Sequence, residues 1–543
     1  MQLVYFDLRE DTDSAVSNPE DVLMSPVVMW SDIIKNSKLV EEILVVCPEK
    51  SANDYEVLIS AVHLECIHVV PLYQLSNEDL GQDKGAILRA MKEKGLLKSQ
   101  TVMVCLEACI PSKGLHVDYL FNFFVSKKAT GIYLYSYDAD IQHAKITPEM
   151  KKSVSPVVIL NVDAIGDQHS YLLMNPSAEG VFGLYVPFLP LAVRSATSLI
   201  KGIRLFSDPN RDLSINPTSV TGVCYSRIGL IGNPSDGYFG NTISISVENY
   251  STKVEIIKSN RLNIIPHPMS FSILQLICRS DPMQFDSIRD LNSLLQKNGY
   301  TGGIRLIYAA LNRFYKHAIH HGIYLNETPF TISYDTTIPR QVGLSGSSSI
   351  VIATLRALMQ YYRVPLGLFP PEDQIKWALH VETKELGITA GLQDRVVQVL
   401  EGCIEMHFDK DRVEKAGNGE YISVDVSLLP PLFLAYSSCS EDISLMCYGS
   451  FVIEKMNEYP EYLTRFMEAL QKRDEVVMKE CFNHNFDLRR EIWGDEALGR
   501  PNLQMIEIAR NHGMAAKFCG SGGAIVMTPG FSYKEADIED LKQ

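Results

Sequence analysis

The chain has no CxxC pair, no uninterrupted apolar run of membrane length, no low-complexity tract and no surplus of basic charge. Each absence removes a class of function. Its 11 cysteines are scattered, and Cys105 and Cys109 have no second Cys or His pair nearby, so reduced core thiols are expected rather than disulfides or a zinc site. The longest apolar stretch, Val181 to Val193, is broken by Pro187 and Pro190, whereas a spanning helix needs about 20 apolar residues. With 50 Lys and Arg against 65 Asp and Glu, the net charge of −15 argues against a nucleic-acid or membrane-surface binder. The start, MQLVYFDLREDTD, has neither the basic residues nor the apolar segment of a secretory signal, and a cytoplasmic location is expected.

What is present is a globular composition, 46% hydrophobic and 21% charged over 543 residues. Domains of about 100 to 200 residues then imply more than one folding unit. In the first part, 42–46, 66–70 and 101–106 read as strands and 85–94 as an amphipathic helix, the alternation of an α/β layered domain. Proline and polar residues around 187–190 and 207–219 read as connection. The division is placed as an α/β domain at 1–200, a linker at 201–219 and a second domain at 220–543. There, strands are expected at 243–247, 254–257 and 331–334, the first two paired, and helices at 302–320, 347–362, 371–386 and 461–481. This is an α+β pattern.

Chemistry concentrates in the second domain. The segment Gly343-Leu344-Ser345-Gly346-Ser347-Ser348-Ser349 runs directly into an apolar helical stretch. Glycines admit an anion close to backbone N–H groups, and a helix N-terminus adds unpaired donors and about half a positive charge. Serine hydroxyls there suit Mg²⁺ bridging phosphates; a serine-capped helix after a flexible turn has the same sequence signature. Glu382 falls three and four residues after Leu379 and Ala378 and so shares their apolar face. A carboxylate so placed needs a metal ion or a hidden arginine. Asp394 follows after Gly387 and Gly391, either as the base for an attacking hydroxyl or as a helix N-cap.

Glycine-rich segments at 227–240 (RIGLIGNPSDGYFG) and 517–526 (KFCGSGGAIV) bracket these residues, and none matches the GK[ST] ending of a Walker A loop. In this order the three segments resemble the signature motifs of the GHMP kinases, over about residues 220 to 530. With 391–399 (GLQDRVVQV) and 485–502 (NFDLRREIWGDEALGRPN), the wording resembles the glucuronokinases. The resemblance implies a two-lobed GHMP fold, ATP, Mg²⁺ and phosphorylation of D-glucuronate at C1. It places Ser348 and Glu382 as Mg²⁺ ligands, Asp394 as the catalytic carboxylate, Arg227 as the basic residue that steadies the reacting groups, and Asp236 as a sugar-hydroxyl ligand. Gly520, Ser521, Gly522 and Gly523 fall beside the substrate and phosphate loops. A uronate calls for arginine, and Arg340, Arg395, Arg305 and Arg489 are the candidates.

Glucuronokinases of the simple type begin near their first motif, so the opening 200 residues are an addition. Their strand order faintly resembles a sugar nucleotidyltransferase, which makes a bifunctional kinase and pyrophosphorylase metabolically coherent. No glycine-rich loop with Arg and Lys follows the start, and Glu107 stands where a metal-binding Asp is expected. A degenerate domain used for docking or regulation is therefore expected. A kinase for galacturonate or fucose, or a GHMP-fold interaction protein without catalysis, would share the same motifs. Partners are expected to be a small sugar acid and ATP, with no nucleic acid and no membrane.

Overall fold

The computed structural model describes residues 1–8, 26–34, 37, 39–62, 66–76, 80, 83–107, 109–111, 115–137, 152–165, 180–187, 191–192, 216–266, 284–298, 300, 304–326, 328–437 and 450–533. The chain divides into two compact units. One comprises Met1–Thr218 with Tyr315–Thr328 and Tyr361–Leu368; the other comprises Ser219–Phe314, Pro329–Gln360 and Phe369–Gln543. Most of the expected linker, 201–215, lies outside the described residues. Its end does not: Ser219 already opens a strand.

Among the described residues the first unit is built on a seven-stranded sheet: β1 (Gln2–Phe6), β2 (Glu42–Cys47), β3 (Ile67–Pro71), β4 (Thr101–Cys105), β5 (Gly131–Tyr137), β6 (Lys152–Asn161) and β7 (Val181–Tyr185). Their order is β3-β2-β1-β4-β6-β5-β7. β1 to β4 are mutually parallel, β6 is antiparallel to both β4 and β5, and β7 is parallel to β5. Val4, Val46, Val102 and Val104 are wholly buried between this sheet and a helix at Lys84–Glu93. Burial on both faces explains why these strands read as continuous apolar runs. The eight described cysteines are unpaired thiols, seven of them buried. Among the described residues no helix is long and apolar enough to cross a membrane.

The second unit contains β8 (Ser219–Ile231), β9 (Asn241–Lys258), β10 (Leu262–Ile265), β11 (Gln284–Phe285), β12 (Phe330–Thr336), β13 (Cys403–His407) and β14 (Glu420–Val424), followed by a three-stranded sheet of β15 (Phe433–Tyr436), β16 (Ala515–Phe518) and β17 (Ala524–Thr528). The segments 243–247 and 254–257, expected as partners, are two parts of the one strand β9. Both pair with β8 instead, Ser244 opposite Gly229 and Val254 opposite Gly222. Local alternation gives each apolar segment but not the continuity between them. Register shifts at Tyr225/Ser226 and Gly229/Ile231 flank Arg227, and such bulges re-aim neighbouring side chains.

Helices follow at α1 (Gly346–Tyr361), α2 (Pro371–His380), α3 (Gln393–Leu400), α4 (Tyr459–Lys472), α5 (Glu475–Leu498) and α6 (Arg500–Asn511). The single helix expected over 461–481 is broken: Arg473 takes a left-handed conformation and Asp474 caps the next helix by accepting from the Val477 N–H. α4 buries Tyr459, Leu463, Phe466 and Leu470, one stripe at helical spacing. Against it pack Leu230, Ile231, Ile243, Phe482 and Val526, all with no exposed surface. Each such side chain contributes about 1.5–3 kcal/mol on burial, so β8, α4, α5 and β17 are held as one block.

Lys128 ends the helix Val117–Lys127 in a left-handed conformation, its side chain exposed. Glycine has no Cβ penalty there, so Lys128→Gly is expected to raise stability by about 1 kcal/mol in urea unfolding. A loss of stability would show that the lysine side chain makes a compensating contact.

Candidate active site

Every residue of the candidate site lies in the second unit. α1 begins at Gly346, one residue after Ser345, which sits at positive φ. By helix geometry the first-turn N–H groups have no partner within the helix and face an incoming anion. A serine cap is not realised, because the Ser345 hydroxyl is buried and bonds to nothing among the described residues. Its backbone carbonyl accepts from the Gln398 amide (3.0 Å) and the Ser348 hydroxyl (3.2 Å), which pins the turn from behind. Ser349 is likewise turned inward, to Thr252 Oγ1 at 2.6 Å.

Glu382 lies in a π-helical turn, Val381–Glu385, that continues α2. It is fully buried, and the hidden arginine is Arg395, whose guanidinium contacts its Oε2. Oε1 accepts from Ser347 at 2.7 Å. The expected companion, Ser348, faces the core instead, since successive residues on a helix point about 100° apart. Arg395, named as a candidate for a sugar carboxylate, is thus committed to Glu382 and to the Gly391 carbonyl at 3.0 Å. Burial lowers its pKa to about 9.

Asp394 is not an N-cap. It is the second residue of α3, and its side chain meets Arg227 from β8, with Arg395 Nη1 at 3.6 Å on its other side. Arg227 also donates to the Cys519 carbonyl at 2.6 Å and is 4% exposed, while the Asp394 carboxylate is 23% exposed and open to a ligand. The result is a line of alternating charge, Glu382, Arg395, Asp394 and Arg227, with the Ser347 hydroxyl at its Glu382 end. Asp236, in the short turn Ser235–Tyr238, accepts weakly from the Gln393 N–H at 3.4 Å. Burial, and then the neighbouring Asp394, push its pKa up to about 6. A side chain at Gly391 would strike the Asp236 carboxylate and force it to move from its present place.

The third glycine segment closes the site. Gly520 lies against the Gly343 carbonyl so closely that no Cβ fits. The Gly523 N–H donates to Asn502 Oδ1 at 2.9 Å, and the Gly232 N–H to Asn485 Oδ1 at 2.7 Å. Gln393 joins Asn233 (2.8 Å) to Ser244 (2.5 Å). Nothing in the sequence alone distinguishes these carboxamides or Gln398 as braces; the polar residues within 227–240, 391–399 and 485–502 are the available signal. Arg489 is 6% exposed and braces Asn233, Gly520 and Ser521, whereas Arg340 and Arg305 are exposed.

Residues 305–402 match the family model for the GHMP kinases N terminal domain. Over 313 residues the chain is 43% identical to probable glucuronokinase 2 of Arabidopsis thaliana, covering 56% of this chain and 82% of that protein. Over 332 residues it is 40% identical to glucuronokinase 1 of the same plant, covering 59% and 88%. Among solved structures, the mevalonate kinase of Methanococcus jannaschii aligns with a TM-score of 0.45 at 16% identity, over 60% of this chain and 93% of that one. The chain belongs to the GHMP kinase superfamily and, within it, to the family of the glucuronokinases. It is a sugar kinase, and ATP is the phosphate donor typical of this superfamily.

Removing one partner of a buried ion pair leaves the other charge uncompensated. Glu382→Gln should therefore lower stability by about 3–5 kcal/mol in denaturant unfolding. A change under about 1 kcal/mol would mean that Arg395 finds another counter-charge.

Proposed function

We propose that this protein transfers the γ-phosphoryl group of ATP to the C1 hydroxyl of D-glucuronate, giving the 1-phosphate and ADP. The observation that carries it is the contact of buried Arg227 with the part-exposed Asp394 carboxylate, beside the N-terminus of α1 and continuous with Arg395, Glu382 and Ser347. The names of the two plant relatives support the choice of sugar acid. Galacturonate and fucose kinases are the competing assignments, separated by catalytic efficiency across a sugar panel.

The triphosphate lies at the head of α1, where first-turn N–H groups and the helix dipole receive phosphate oxygens. The sugar hydroxyl is held by Asp236 and Asp394. As its oxygen bonds to the γ-phosphorus, the bond to the bridging oxygen of ADP breaks and the hydroxyl proton passes to Asp394. Arg227 fixes that carboxylate and places positive charge beside the transferring group. Glu382 and the Ser347 hydroxyl are hard oxygen donors 2.7 Å apart, a set that suits Mg²⁺. They would hold the ion, with Arg395 as the present counter-charge. Bound there, Mg²⁺ would neutralise charge on the phosphate oxygens.

For the first unit we propose a docking or regulatory role on a nucleotidyltransferase-like α/β scaffold. UTP and pyrophosphate should show no exchange through it, and measurable exchange would overturn this.

Asp394→Ala is expected to abolish turnover, by about 10³-fold or more, while ATP affinity measured by calorimetry stays within a few fold. Retained turnover would remove Asp394 as the base. Because the Asp236 pKa is raised, its carboxylate is present above about pH 6 and is lost as pH falls through that value. kcat/KM for the sugar should therefore fall about tenfold per unit below pH 6, and a flat profile down to pH 5 would exclude a role for the charged form.

A further inference from the structure

The third glycine turn is loaded with buried cations. Four consecutive carbonyls accept from them: Phe518 from Lys517 Nζ (2.7 Å), Cys519 from Arg227 (2.6 Å), Gly520 from Arg489 Nη1 (2.7 Å) and Ser521 from Arg489 Nη2 (2.9 Å). Lys517 reaches the Gly229 carbonyl as well, at 2.7 Å. Lys517, Arg227 and Arg489 are 1%, 4% and 6% exposed. Of the three, only Arg227 meets a carboxylate. Lys517 and Arg489 have none among the described residues; Arg489 is flanked by the rings of Trp493 and Phe518.

Such charges are costly to bury without a counter-ion. Burial lowers Lys517 to about 7 and Arg489 to about 10, and Arg227 adds like-charge repulsion to both. Bracing alone does not call for charge, because neutral amides do the same work alongside: Asn502 holds Gly523 and Asn485 holds Gly232. Arg489 therefore stands as an uncompensated cation where an amide would brace the backbone, and Lys517, about half charged at neutral pH, adds to it in part. Arg489 also binds the Asn233 side chain, three residues before Asp236, at 3.2 Å. This puts its charge on the acceptor side of the turn.

We infer that Arg489, supported by Lys517, is the specificity-determining residue that selects an anionic acceptor, its charge answering the carboxylate of the sugar acid. The inference rests on the uronic-acid assignment above. In a water-poor setting the field of a fixed charge is weakly screened, so a neutral sugar forfeits attraction that a uronate receives. The donor's phosphates are the other anion within reach of the same turn. The position of Arg489 beside Asn233 favours the acceptor.

The test compares kcat/KM for D-glucuronate and for its neutral isostere D-glucuronamide in the wild type, Arg489→Met and Lys517→Met, with the KM of ATP determined for each. The wild type should prefer the acid by about tenfold or more. Both methionine variants should lower that ratio, Arg489→Met by about tenfold, with the loss in the KM of the sugar acid. An unchanged ratio overturns the inference, as does a loss confined to the KM of ATP, which would assign the cations to the donor. Should neither variant fold, Arg489→Lys keeps the charge and is expected to keep the preference. A wild-type ratio near one overturns the inference without any variant. Absence of turnover with every uronic acid would instead remove the substrate assignment, and this inference with it.

Discussion

The buried contact between Arg395 and Glu382 is the constraint on which the rest of the site depends. Taking two such charges out of water costs several kcal/mol for each ion, and the pair returns that only with good geometry. Its value is positional. Glu382 comes from the turn after α2 and Arg395 from the first turn of α3, so their contact fixes where both segments end. Asp394, next to Arg395 in the chain, is then aimed at Arg227 on β8, and Ser347 at the head of α1 is drawn to the other end of the line. One buried pair thereby sets the spacing between the phosphate-binding end and the proton-accepting end of the site.

Around this line the architecture is held by backbone rather than by bulk. Gly343 and Gly520 touch without side chains, and Gly391 leaves room for Asp236. Gln398, Asn485 and Asn502 hold the neighbouring turns through their peptide groups. Interactions with peptide groups are indifferent to the side chains beside them, but they demand close approach. That demand explains why small residues and amides recur in these segments.

Much of the site was legible in sequence because its parts are local. The glycine and serine run announces a helix N-terminus at 346, and the apolar face of α2 marks Glu382 as a buried carboxylate. What stayed hidden is long-range. Nothing within 371–386 names Arg395 as the partner, and nothing within 343–349 says that Ser347 rather than Ser348 meets Glu382, a choice set by helix phase. The fold misreadings have the same origin. β9 looked like two strands because its partner β8 lies outside the local pattern, and the break at Arg473 carries neither glycine nor proline to announce it. The first unit showed its strands readily, since buried parallel strands are apolar throughout, but strand order is not written in any one segment.

The separations spanned by these contacts carry a consequence for synthesis. Arg227 bonds to a carbonyl 292 residues further along the chain, and Gly232 to a side chain 253 residues on. Units of a growing chain fold as they emerge, N-terminal first, so β8 and the head of α1 are made long before α5 and β16 exist to hold them. Gly232 lacks its amide until Asn485 has been made, and Arg227 its carbonyl until Cys519 has. The braces on the first glycine segment are therefore completed only late in synthesis, after every other part of the line from Ser347 to Arg227 has been made.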